Sequence, residues 1–127
     1  MPLRWIIDHA GRRVTATLLE TTSEQEMYDF LGELIGQGAM PYAKLFDASA
    51  AIRWITPDRI GPIAATTRLY SRMGLGPVGP VAIVVASETA IKRAEEYMRL
   101  SDALRVVRLF ARREDAEAWL ESLPPSD

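Results

Sequence analysis

The residues of this 127-residue chain that could do chemistry fall in a few short stretches. Asp47 and Ser49 close the stretch Lys44-Leu45-Phe46-Asp47-Ala48-Ser49, and Ser87 follows the apolar run Val81-Ala82-Ile83-Val84-Val85-Ala86. A carboxylate and hydroxyls at the carboxyl ends of parallel strands stand where open α/β sheets bind ligands. The same short polar side chains also cap loops and helix starts, and that is the commoner use of them. Thr56 and Asp58 flank Pro57. Thr before Pro reads as a helix start, with the Thr56 hydroxyl as N-cap and Pro at the first helical position. Arg68 and Arg72 stand one helical turn apart in a stretch otherwise uncharged from Ile60 to Met73.

Most assembled chemistries are missing their parts. His9 is the single histidine and there is no cysteine, which excludes a multi-histidine metal site, thiolate ligands and a cysteine nucleophile. His9 follows a strand at a turn, so a solvated role is expected. There is no Gly-x-Ser-x-Gly elbow and no His-Glu-x-x-His. Residues 74–80 are glycine-rich, but a phosphate cradle needs successive backbone N–H groups leading into a helix. Two of these positions are proline, and the stretch leads into a strand. It reads as a helix-to-strand connection whose glycines leave the backbone loose. Acidic neighbours such as Glu95 and Glu96 fall on polar helix faces. No catalytic residue, metal or cofactor is expected.

Several elements must position these residues. Residues 3–8 are apolar and β-prone, and residues 14–19 alternate with period two. Ala10-Gly11 between them supplies a hairpin turn, with Gly11 the residue that tolerates positive φ. Ser23 with Glu26 makes a capping box for a helix whose apolar stripe is Met27, Phe30, Leu31, Leu34 and Ile35, ended by Gly36 and Gly38. Residues 42–48 form the next strand. A helix region follows over 57–73, where Pro62 either kinks the helix or starts it. Residues 81–86 are continuously apolar, as a strand covered on both faces is. Residues 89–100 are helical, 105–110 a strand, and 112–123 a last helix with Ala116, Trp119, Leu120 and Leu123 inward. The order ββαβαβαβα gives the α/β class: a mixed, mainly parallel sheet with an N-terminal β-hairpin at an edge and four helices.

Residues 1–127 make a single domain, because neither repeat nor linker interrupts the order and the length suits one domain. A chain of this size buries roughly two-thirds of its unfolded surface without staples. A charged fraction of 25% beside 48% hydrophobic residues excludes disorder. Net charge −2 and a pI near 5.5 give no basic footprint for nucleic acid. The longest uncharged run, residues 73–87, carries two prolines and is too short for a bilayer. Without a secretory signal, a cytoplasmic protein is expected.

This element order resembles that of STAS domains, the anti-sigma-factor antagonist fold, and is closest to the SpoIIAA-like set, related in shape to CRAL-TRIO lipid-binding domains. The resemblance spans residues 3–123. It rests on Lys44-Leu45-Phe46-Asp47-Ala48-Ser49, on Trp54-Ile55-Thr56-Pro57-Asp58-Arg59-Ile60, and on the closing strand-helix pairs. It implies a non-enzymatic regulatory or protein-interaction module. Phosphorylatable members carry a Ser or Thr followed by Gly at the start of the second helix. Here that glycine is absent and Pro57 falls about where the switching hydroxyl would sit, so the phosphorylation switch is expected to be lost, with Thr56 the only hydroxyl nearby. The resemblance to lipid-binding folds implies an alternative, a small apolar ligand held in a groove under the 57–73 region. The expected partner is therefore a protein or a small apolar ligand, and a homodimer through a sheet edge or the apolar second helix is compatible with the sequence. The candidate interaction residues are Asp47, Ser49, Thr56, Asp58, Arg68, Arg72 and Ser87.

Overall fold

A computed structural model describes residues 3–51, 65, 69, 72–74, 79–86, 88–89, 91–92, 95 and 107–124. Among the described residues five strands form one mixed sheet: β1 (Arg4–Asp8), β2 (Arg13–Leu19), β3 (Ala43–Ala50), β4 (Val81–Val84) and β5 (Val107–Phe110). Their spatial order is β1-β2-β3-β4-β5. β1 and β2 are antiparallel, and every other neighbouring pair is parallel. The expected α/β class and edge hairpin are therefore present. Two helices are described from end to end, α1 (Glu24–Gly36) and α2 (Arg113–Ser122). The helices expected over 57–73 and 89–100 lie largely outside the described residues, as does the question of Pro62. Among the residues described there, Ala65, Leu69, Arg72, Thr89, Ile91, Lys92 and Glu95 are helical.

Strand alternation divides the core into two layers. On one face, Val14, Ala16 and Leu18 of β2, Ala48 of β3 and Ile83 of β4 pack with Met27, Phe30 and Leu34 of α1. Trp5 and Ile7 of β1 join this layer, and Trp5 and Phe46 lie within 5.4 and 6.3 Å of the Phe30 ring. On the other face, Leu45, Ala82 and Val84 pack with Ala116 and Leu120 of α2. All four residues of β4 are buried, as a parallel strand covered on both faces requires.

Local chemistry sets the ends of these elements. In the capping box of α1, Ser23 Oγ accepts from Glu26 N at 3.1 Å, and Glu26 Oε1 accepts from Ser23 N at 3.1 Å. Glu26 Oε2 also accepts from Leu3 N at 3.1 Å, which ties the start of β1 to the helix. At the other end Gly38, with φ 68°, donates to Ile35 O at 3.2 Å while Ala39 N donates to Leu34 O at 2.8 Å. This paired closure is the Schellman arrangement. Ile35 departs from the expected stripe: it is 43% exposed. At 100° per residue it lies about 80° round from Met27, off the buried face.

The hairpin turn also differs from the expectation. Its left-handed residue is Arg12, with φ 52°, and not Gly11. Gly11 instead donates its N–H to Asp8 Oδ1 at 3.0 Å, and a Cβ on it would stand 2.6 Å from Asp8 Oδ2. Nor is the connection before β4 loose at its end. Gly79 is buried, and its N–H donates to Met40 O at 2.8 Å. A Cβ there would overlap the carbonyl oxygens of Pro41 and Tyr42.

Candidate functional site

Asp47 occupies the carboxyl half of β3, the central strand, opposite Thr17 of β2 and Val84 of β4. Its Oδ1 accepts from Ser49 N at 3.0 Å and from Ser49 Oγ at 2.6 Å. Its Oδ2 faces Arg113 Nη1 at 3.6 Å, and the Asp47 side chain is only 15% exposed. Arg113 is the first residue of α2, and its Nε also faces Glu117 Oε1 at 3.4 Å, one turn along the helix. The structure thus brings Asp47 and Ser49 together, as their spacing suggested, and adds Arg113 to them.

This arrangement is a clamp. Two Ser49 donors on one oxygen hold the chain as it leaves β3, a short-range turn that Asp side chains favour. The ion pair on the other oxygen links the sheet edge to the start of α2. Because Arg113 is well exposed, solvent screens the pair and limits its contribution to a fraction of a kcal/mol. A carboxylate receiving a serine hydroxyl also resembles the start of a nucleophile relay, but such a relay needs a further group to carry the proton. His9 cannot serve. It stands beyond the start of β2, and Thr17, opposite Asp47, is four residues along that strand from Arg13. That separation is at least about 13 Å.

His9 itself is a correction. Rather than being solvated alone, its Nδ1 lies 2.7 Å from Tyr42 Oη and its Nε2 2.8 Å from Gln37 Oε1. Gln37 Nε2 donates to the Glu33 carboxylate, so the Gln37 oxygen faces the ring and Nε2 carries a proton. In the neutral imidazole, Nδ1 then accepts from the Tyr42 hydroxyl. Arg12 stacks over the Tyr42 ring, its guanidinium 4.9 Å from the centroid. Beside this chain, Lys44 is buried, with Nζ donating to the carbonyls of Met40 and Tyr42. Sequence reading missed this cluster because its members come from a turn, a helix end and a strand start. A lysine inside an apolar strand was the one signal available.

Of the remaining candidates, Arg72 is helical and exposed, one residue before Met73. Thr56, Asp58, Arg68 and Ser87 lie outside the described residues. Among the described residues no group of three or more His, Asp or Glu side chains is placed to hold a metal ion. None of their helices is long and apolar enough to cross a membrane.

The Glu26 carboxyl is more acidic than usual. Backbone N–H groups of Leu3 and then Ser23 stabilise its carboxylate and lower its pKa from 4.5. Its chemistry is structural, since these bonds hold the starts of β1 and α1. No family model, curated protein or solved structure matches the chain.

Proposed function

We propose that this chain is a non-enzymatic regulatory or protein-interaction module of STAS-like type, working without the phosphorylation switch. The observation that carries the reading is a pair of large apolar side chains left in water. Leu69 and Met73 are 58% and 59% exposed, one helical turn apart, with Met73 N donating to Leu69 O at 3.0 Å. Exposed apolar groups set beside a cation, here Arg72, are the usual makings of a protein contact. Two further features support the reading. The sheet is mixed with an edge hairpin, as the resemblance implies, and the four-helix, single-domain arrangement belongs to the same proposal. Asp47, the acid best placed for chemistry, is committed to holding Ser49 and Arg113.

The test is affinity capture from the native host, comparing wild type with a Leu69→Asp/Met73→Asp variant of equal melting temperature. A protein retained by the wild type and lost by the variant is the expected result. Thr56→Asp should leave that capture unchanged if no switch operates. The alternative is a small apolar ligand held in a groove under the 57–73 region, as the resemblance to lipid-binding folds implies. Native mass spectrometry of the purified chain separates the two: a stoichiometric lipid-sized adduct, with no partner captured, would overturn the interaction reading.

A further inference from the structure

β1 is an outer strand of the sheet, and among the described residues nothing pairs with its second edge. An open edge offers unpaired N–H and C=O groups to any extended chain, and natural proteins guard such edges with charge. β1 carries Arg4 and Asp8 at its two ends and Ile6 at its centre, all three on the face where α2 packs on β3, β4 and β5. Ile6 is 70% exposed. Among the described residues Arg4 joins no ion pair. Among the described residues Asp8 accepts from Gly11 N alone, through Oδ1, although Arg13 stands opposite it in β2.

The spacing of these residues is self-complementary. Lay a second β1 antiparallel to the first, with the two-fold axis at Ile6. Arg4 then faces Asp8 of the partner subunit, Asp8 faces Arg4 of the partner subunit, and the two Ile6 side chains meet on the axis. On the other face Trp5 meets Ile7 of the partner subunit, and both residues are already half-buried against the first core layer. A two-fold at a residue satisfies the antiparallel ladder whether that residue's backbone groups point out or in, so this register is open to β1. A slip of two residues leaves Arg4 or Asp8 opposite a neutral residue. A parallel pairing in register sets Arg4 against Arg4 and Asp8 against Asp8. One register alone matches both charges, and the charges themselves disfavour the others.

We infer that β1 is a homodimer interface: two copies of this chain pair antiparallel through Arg4–Asp8 about a two-fold at Ile6, joining their sheets into one. Such an interface is isologous and closed, as most soluble homodimers are. It leaves the carboxyl edge with Asp47 and the exposed Leu69 and Met73 free, so it stands or falls separately from the partner reading above.

Charge reversal tests it by sedimentation velocity on the full chain. Arg4→Asp sets acid against acid at both symmetric pairs, and Asp8→Arg sets base against base. Each variant alone should dimerise more weakly than wild type, by roughly thirtyfold for two pairs changed from attraction to repulsion. Mixed in equal amounts they become complementary at both pairs, and heterodimer should form. Recovery on mixing requires both variants to be folded, so misfolding cannot imitate it. In a chain without cysteine, Ile6→Cys should give a disulfide-linked dimer under mild oxidation, because opposed residues of antiparallel strands lie within disulfide reach. A wild type that is monomeric at all concentrations overturns the inference. So does a dimer indifferent to both reversals, or a mixture that fails to recover.

Discussion

At the scale of single residues, Glu26 does the most with one carboxylate. Its two oxygens close the capping box and hold the Leu3 N–H, so α1 and β1 share one anchor. Hydrogen bonds from Leu3 and Ser23 lower its pKa below 4.5 in the folded chain. The unfolded chain therefore binds the proton more readily. The stabilisation is present above the unfolded value and is lost as pH falls through the folded one. Melting temperature should accordingly fall more steeply below pH 4.5 in the wild type than in Glu26→Gln. Parallel curves for the two proteins would remove Glu26 as the anchor. His9 teaches the opposite lesson at this scale. Its sequence neighbours gave no partner, and its hydrogen bonds go to Tyr42 and Gln37, which are distant in sequence.

At the scale of elements, two glycines have different reasons to be glycine. Gly38 needs φ 68° to close α1, with open space around its Cα. Gly38→Ala should cost about 1 kcal/mol, the penalty of an L side chain in the left-handed region. Gly79 instead lies against the carbonyls of Pro41 and Tyr42, where a Cβ overlaps backbone atoms. Gly79→Ala must displace the entry to β3 or β4 and should cost more than the Gly38 figure, toward the upper end of overpacking, about 3 kcal/mol. Urea unfolding of both variants checks the order, and a smaller loss at Gly79 would contradict the close approach. The ends of α1 were legible in the sequence because caps are local: Ser23, Glu26 and Gly38 act within a few residues. The role of Gly79 was not, because its contact is made by a loop from another part of the chain.

At the scale of the whole molecule, the sheet separates two apolar layers, and each should respond independently. Leu34 of α1 lies in one layer and Leu45 of β3 in the other, both 1% exposed. Leu34→Ala and Leu45→Ala should each lose about 2–5 kcal/mol, and the double variant about the sum. A double variant that loses much less than the sum would mean that one layer already collapses with the other. The two layers also explain why the carboxyl edge is a clamp. α2 packs across β3, β4 and β5, and Arg113 at its start reaches Asp47 only because α2 covers that face.

The α/β class, the edge hairpin and the caps of α1 were legible along the chain alone. Period-two alternation, a doubly apolar β4 and a capping box are all local signals, read within a turn or a strand. The packed fold sets which distant groups meet. It joined Arg113 to Asp47 across the sheet edge, and His9 to Tyr42 and Gln37 at the opposite end. It buried Lys44, moved the left-handed turn residue from Gly11 to Arg12, and exposed Ile35. Contacts between residues far apart in the chain depend on which faces the sheet turns toward each helix, and no spacing along the chain encodes that.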